Sequence, residues 1–205
     1  MKPASFKTRL EQLKPETMAV NPVYHQTNTK LQQEADWIRE AKEDAERFGP
    51  LYTKYHEQIF RYVHQRMDDR ELAFDVTSQV FIKALSNLHK YEFRGVPFSS
   101  WLYRIAKSEL YQAFRDRKAR RTVNVESIHL FEMIEDLDDG DSSEQKAQLV
   151  GCLAKLKEAD LQLIELRYFE KRSYREIGEI LEITENNAKV RAFRALERLK
   201  KQFLQ

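Results

Sequence analysis

The sequence predicts an all-α protein, two small helical domains joined by an acidic flexible linker. Three observations carry this. Glycine and proline number only five each in 205 residues, too few for a chain rich in turns and strands. Apolar residues recur at the three- and four-residue spacing of a helix face in one segment after another. Capping residues stand where those segments should begin, at Asp69, Ser173 and Thr184.

Residues 1–45 are polar and interrupted by Pro3, Pro15 and Pro22, and read as a flexible or partly helical extension. A short helix is expected there from about Lys30 to Ala45. From Glu43 to Met67 the apolar residues Phe48, Leu51, Tyr52, Tyr55, Ile59, Tyr62 and Val63 fall on one face, with Pro50 in the first turn. Asp69 then caps a second helix running to about Lys90. Its stripe is Leu72, Val76, Val80, Ala84 and Leu88, with Phe81 and Leu85 beside it. Asp75, Ser78, Gln79 and Lys83 lie off that stripe, exposed or reserved for a partner. Gly95 and Pro97 turn the chain. Ser99 or Ser100 caps a third helix that carries Trp101, Leu102, Ile105, Ala106, Leu110 and Ala113 inward. These helices make a first domain of residues 46–121.

Residues 122–146 have no sustained period and are acidic through Glu132, Glu135, Asp136, Asp138, Asp139, Asp141 and Glu144. They read as the linker. The second domain, 147–205, follows, with helices expected at about 143–156, 159–169, 174–181 and 185–202.

Composition excludes several function classes. No apolar run approaches the roughly 20 residues of a spanning helix, and Met1 to Leu10 lacks the apolar core of a secretory signal. No stable membrane insertion is expected. Cys152 is the sole cysteine, which suits a reducing cytoplasm and leaves no cysteine-rich metal site. There is no Gly-rich phosphate loop, and His25, His56, His64, His89 and His129 are scattered. No catalytic residue, metal or cofactor is therefore expected, and the chain does not read as an enzyme.

The net charge of +2 conceals strong patterning. Arg104, Lys107, Arg115, Arg117, Lys118, Arg120 and Arg121 make one basic stretch, and Lys189, Arg191, Arg194, Arg198, Lys200 and Lys201 make another. Two basic helices flanking an acidic linker suggest two contacts with a polyanion, although each run alone could be a solvated helix face.

The second stretch lies in SYREIGEILEITENNAKVRAFRALERLKKQF. Ser173 and Glu176 form a capping box at the start of a short helix. Ile177, Ile180 and Leu181 are its buried face, Gly178 permits close approach, and Leu181-Glu182-Ile183 is the turn. Thr184 caps a longer helix that buries Ala188, Ala192, Ala195, Leu196 and Leu199 and exposes Asn187, Lys189, Val190, Arg191 and Arg194. A short capped helix, a tight turn and a basic helix form the helix-turn-helix pattern, whose second helix enters the major groove. In the first domain, Tyr91, Phe93, Phe98, Trp101, Tyr103, Tyr111 and Phe114 interleave with Arg94, Arg104, Lys107, Arg115 and Arg117. Aromatics stack on unpaired bases while cations follow the phosphates, a mixture suited to single-stranded or melted nucleic acid. Core packing is the competing account of each aromatic. Trp101 reads first as core, whereas spacing leaves Tyr91, Phe93 and Phe98 open.

Together the two domains resemble the bacterial sigma factors of RNA polymerase. Phe48 to Arg121 resembles sigma-two, through DVTSQVFIKAL (Asp75 to Leu85) and FSSWLYRIAKSEL (Phe98 to Leu110). Residues 147–205 resemble the winged-helix-like sigma-four domain, through LRYFEKRSYREIGEILEITENNAKVRAFRALERL. The absence of a domain between them matches the extracytoplasmic-function group. The resemblance implies that the first domain docks on a coiled coil of the largest polymerase subunit and captures the melted minus-ten element. It implies that the second reads the minus-thirty-five duplex and touches the polymerase flap, with the linker threading toward the active-site and RNA-exit channels. The polymerase-facing positions would be Asp75, Ser78, Gln79 and Lys83. Asp75, Val80 and Phe81 match the family pattern, while Ser78 and Gln79 stand where Gln and Glu are usual, making this surface less acidic. The upstream duplex would meet Asn187, Lys189, Val190, Arg191, Phe193 and Arg194. The melted strand would meet Phe93, Arg94, Phe98, Arg104, Lys107, Tyr111 and Arg115. Glu182 replaces the usual turn glycine, which should weaken the turn slightly. An anti-sigma protein is a further candidate partner. The alternative is a two-domain regulator that binds duplex DNA without polymerase; the aromatic and basic first domain argues against it.

Overall fold

The computed structural model describes residues 28–67, 69–116 and 142–205, omitting the side chains of Asn28 and residues 142–146. Among them the regular structure is all helix, with no strand. The described chain divides into two compact units, one built from the residues up to 116 and the other mainly from residues 142–205.

The first unit is built from α1 (Asn28–Glu43), α2 (Gly49–His64), α3 (Arg70–Ser86) and α4 (Phe98–Arg115), with single 3-10 turns at Ala45–Phe48 and Leu88–Lys90. The helix expected from Glu43 to Met67 opens as the 3-10 turn Ala45–Phe48 and becomes α-helical from Gly49 to His64. Asp44 adopts an extended backbone and accepts a hydrogen bond from the Glu46 N–H at 3.0 Å, which caps a new start and ends the first helix. Pro50 sits in the first turn of α2 as expected, because its missing N–H has no helical partner there. Asp69 accepts from the N–H groups of Glu71 and Leu72 at 2.9 and 3.1 Å, fixing the start of α3. That helix stops at Ser86, earlier than its periodicity suggested.

The core of this unit lies between α2, α3 and α4. Leu51, Ile59, Val63, Val80, Ala84, Leu102, Tyr103 and Ala106 are fully buried, the larger apolar side chains among them each contributing about 1.5–3 kcal/mol. The polar tip of Tyr103 accepts a hydrogen bond from the Gln58 side chain at 2.8 Å, so its burial is satisfied. The expected stripe is buried at Val76, Val80, Ala84 and Leu88, with Phe81 beside it; Ala73 and Thr77 join it, while Leu72 is half-buried and Leu85 exposed. Small residues bring α3 close to its neighbours, and the Thr77 hydroxyl is absorbed by the Ala73 carbonyl at 2.7 Å. Helix α1 matches the short helix expected at about Lys30 to Ala45; what the sequence did not show is its packing, for Glu34, Ile38 and Ala41 are buried. Residues 1–27 of the expected extension lie outside the described residues.

The second unit holds α5 (Ser142–Lys155), α6 (Glu158–Ile164), α7 (Tyr174–Leu181) and α8 (Glu185–Leu204). The expected linker overlaps the start of α5, which is helical from Ser142; residues 122–141 lie outside the described residues. The expected helix at 159–169 ends in a π-helical turn, Glu165–Phe169, closed by the Glu170 N–H donating to the Glu165 carbonyl at 2.9 Å. Leu149, Leu153, Ile164, Leu166, Tyr168, Ala192, Ala195 and Leu199 form the core. Burial pushes the Tyr168 phenol well above its ordinary range, and the Cys152 thiol upward too, so both stay protonated core groups. Arg172 is also fully buried. Its Nε donates to the Glu170 carbonyl at 2.8 Å, and its guanidinium pairs with Glu176 at 3.3 Å.

Candidate nucleic-acid interface

The helix-turn-helix is assembled by the contacts its sequence advertises. The Ser173 N–H donates to the Glu176 carboxylate at 2.9 Å, and the Glu176 N–H donates to the Ser173 hydroxyl at 3.2 Å. This is the reciprocal capping box. The buried Arg172 adds a charge partner to the same carboxylate. At the turn, Glu182 holds φ at 57°, the left-handed conformation a glycine would adopt freely. The Ile183 N–H donates to the Gly178 carbonyl at 2.9 Å. A Cβ on Gly178 would stand 2.8 Å from the Ile183 carbonyl oxygen, so what this glycine admits is the turn backbone itself. Thr184 then caps α8 by accepting from the Asn187 N–H at 3.2 Å.

Helix α8 is divided by face. Ala188, Ala192, Ala195, Leu196 and Leu199 are buried as expected. Lys189, Val190, Arg191, Phe193 and Arg194 are exposed, and Asn187 is half-exposed. Val190 and Phe193 remain 40% and 49% exposed, which is unusual for large apolar side chains on a helix with a complete core face. Cations interspersed with apolar groups can meet phosphates and base edges or thymine methyls respectively.

The first unit presents a second surface of different character. Phe93, 47% exposed, and Arg94 stand on the loop between Tyr91 and Phe98. Along α4, Arg104 and Lys107 are half-buried, and Tyr111 and Arg115 are exposed, at spacings that keep them on one side of the helix. Arg115 donates to Gln112, which in turn donates to Asp116. One expected strand-binding residue is corrected. Phe98 is fully buried, with its ring edge-on to Phe48 and Tyr91. Tyr91 is likewise buried, against Phe98 and Trp101. Burial, with the nearby Glu34 carboxylate, raises its hydroxyl far above the ordinary range. Both rings are therefore core, not stacking platforms. Trp101 and Ile105 are half-buried, short of the inward position expected. Neither Ser99 nor Ser100 caps α4: the helix starts at Phe98, and both hydroxyls lie buried inside its first turn.

A third surface runs along α3. Asp75, Ser78 and Gln79 are exposed as expected. Lys83 is exposed too, but its ammonium is tied to Glu109 of α4 at 2.6 Å, so it also links the two helices. The sequence reading missed Phe74 and Ile82, 41% and 55% exposed beside the same polar residues. Their signal was available: both fall off the buried stripe of α3. Among the described residues no helix is long and apolar enough to cross a membrane.

Comparison with known proteins adds the following. The family described as Sigma-70 region 2 matches residues 51–120, and Sigma-70, region 4 matches residues 146–199. The RNA polymerase sigma factor YlaC of Bacillus subtilis is 32% identical over 155 residues, covering 74% of this chain and 88% of YlaC. The ECF RNA polymerase sigma factor BldN of Streptomyces coelicolor is 26% identical over 158 residues, covering 76% of this chain but only 60% of BldN. In three dimensions the chain is similar to CnrH, solved in complex with the cytosolic domain of CnrY. The TM-score is 0.58 at 17% identity, over 82% of this chain and 95% of that one, a likeness of fold.

Proposed function

The chain belongs to the extracytoplasmic-function group of RNA polymerase sigma factors, and from that premise we propose how its surfaces divide the work. A sigma factor binds core RNA polymerase and directs promoter-specific initiation; the division proposed is as follows. The α8 face formed by Asn187, Lys189, Val190, Arg191, Phe193 and Arg194 reads the upstream duplex in the major groove. The loop residues Phe93 and Arg94, with Arg104, Lys107, Tyr111 and Arg115 of α4, hold the opened minus-ten strand. Asp75, Ser78, Gln79 and Lys83, joined by Phe74 and Ile82, form the polymerase-docking face. Strand opening is driven by binding unstacked bases, as in base flipping, and not by hydrolysis of a nucleotide. The chain on this reading is a regulator and not an enzyme, acting in the cytoplasm beside polymerase and chromosome.

The observation that carries the division is the exposure of Phe93 and Tyr111 among cations in the first unit. An exposed ring on a basic surface can stack on an unpaired base while the cations meet the phosphates. The test is reconstitution with core polymerase. The parent holoenzyme should give promoter-specific transcripts from a promoter library. Phe93→Ala should weaken binding of the opened nontemplate strand by about 1–3 kcal/mol, the worth of one stacked base, while upstream duplex binding is kept. No promoter-specific transcript from competent core enzyme would overturn the reading in favour of a polymerase-independent regulator.

A further inference from the structure

Helix α4 lacks a cap of its own. The residue before it is Pro97, which supplies no side-chain hydrogen bond. The cap comes instead from α1. The fully buried Glu34 accepts from the Phe98 N–H, the first of α4, at 2.7 Å. A carboxylate at that position meets the positive end of the helix. Its burial is compensated by two more donors, the Lys54 ammonium at 3.0 Å and the Tyr55 hydroxyl. Eight residues further along α1, roughly 12 Å of helix rise, Lys42 donates to the Tyr91 carbonyl at 2.7 Å. The two contacts fall at the two ends of one loop. Between them lie Glu92, Phe93 and Arg94, all exposed, and Gly95 with φ at 71°. The family region matched in this unit begins only at residue 51, beyond α1.

We propose that α1 is a positioning element for strand capture: Glu34 and Lys42 clamp the two ends of the 91–98 loop and so set where Phe93 and Arg94 meet the opened strand. This rests on the assignment of that loop to the melted minus-ten element. A short loop pinned at one end only would sample many placements of its exposed ring, and each must be frozen out on binding. Pinning both ends removes that cost before the strand arrives. The clamp requires no contact of Glu34 or Lys42 with DNA. Glu34 and Lys42 are positioning residues.

The experiment uses holoenzyme assembled with core polymerase. The probe is a fluorescent single-stranded oligonucleotide, the nontemplate strand of a promoter that this holoenzyme transcribes. Lys42→Met keeps the aliphatic stem at an exposed position and removes the hydrogen bond to Tyr91. Glu34→Gln can satisfy only some of its donors and turns an amide N–H toward the rest. Lys42→Met should weaken strand binding about three- to tenfold, with duplex binding upstream, polymerase affinity and thermal midpoint unchanged. Lys42→Arg, which can still donate to Tyr91, should restore most of the binding. Glu34→Gln should weaken strand binding more than any loss of folded protein accounts for, as thermal denaturation of the same sample will show. If both variants bind the strand like the parent while Phe93→Ala does not, the clamp is overturned and the assignment of the loop stands. If Phe93→Ala also binds like the parent, the loop assignment itself has failed and the clamp falls with it. Losses that merely track unfolded or polymerase-free protein would reduce α1 to a structural helix and overturn the proposal.

Discussion

Phe93 and Phe98 are the same residue five positions apart, flanking one turn, yet one is 47% exposed and the other fully buried. The difference decides what each can do. Phe98→Ala removes a ring packed edge-on against Phe48 and Tyr91, and should cost about 3–5 kcal/mol of stability. Phe93→Ala removes a ring that water already reaches, and should change stability by less than about 0.5 kcal/mol. Thermal unfolding of the two variants beside the parent checks this; equal losses would mean that Phe93 is also a packing residue. The sequence reading started the helix after Phe98 and so left both rings open; Phe93 lies on the loop, whereas Phe98 opens α4 on the same buried face as Leu102, Ala106 and Leu110. Its backbone N–H also meets Glu34, 64 residues away. Such long-range partners leave no mark on local patterning. Lys83 is a similar case, since its pairing with Glu109 depends on how α3 meets α4. By contrast the exposed residues of α8 were legible one by one, because a long capped helix with an alanine face fixes which positions point outward.

At the scale of the element, the capped helices were the most legible part of the molecule. Asp69, Ser173 and Thr184 each cap the helix that the sequence assigned to them. Departures from the α-helix were the least legible. The 3-10 turn Ala45–Phe48 and the π-helical turn Glu165–Phe169 each keep the apolar run of an expected helix while changing its pitch. The turn of the helix-turn-helix gives a test in which two effects of opposite sign compete. In an ordinary helix Gly→Ala gains up to about 1 kcal/mol from propensity. At Gly178 the added Cβ would come within 2.8 Å of the Ile183 carbonyl oxygen and 3.3 Å of the Glu185 nitrogen, both backbone atoms that cannot swing aside. Overpacking of this kind costs about 1–3 kcal/mol, so the clash should win. Gly178→Ala is expected to lower the thermal midpoint of the second unit and to weaken upstream duplex binding, with overall helix content by circular dichroism nearly unchanged. A raised midpoint would show that the turn can open to admit a methyl group, and that the strain at Glu182, φ 57°, is not held in place by this contact.

For the whole molecule the net charge of +2 is a poor guide to affinity. Screening at physiological salt acts over about 8 Å, so a phosphate feels the local face and not the chain total. The exposed α8 set carries Lys189, Arg191 and Arg194 with Glu185 near its start. The α4 set carries Arg104, Lys107 and Arg115. Each cation that neutralises a phosphate releases a counterion and adds close to one unit to the slope of log affinity against log salt. A cation on a base edge adds specificity instead. The two roles can therefore be separated on the assembled holoenzyme, whose polymerase contacts contribute the same slope to every variant. Arg191→Gln and Lys189→Gln should each flatten the salt dependence by about one unit and weaken promoter and random duplex alike. Arg194→Ala should leave the slope nearly as it was and cost about 1–3 kcal/mol on the promoter alone. Titrations across salt on a promoter fragment and a scrambled one measure both quantities together. An unchanged slope for Arg191→Gln and Lys189→Gln would place those cations away from the phosphates. A flattened slope for Arg194→Ala, with equal losses on both fragments, would make it a phosphate contact and move the reading of sequence to Val190 and Phe193, whose exposure packing does not explain.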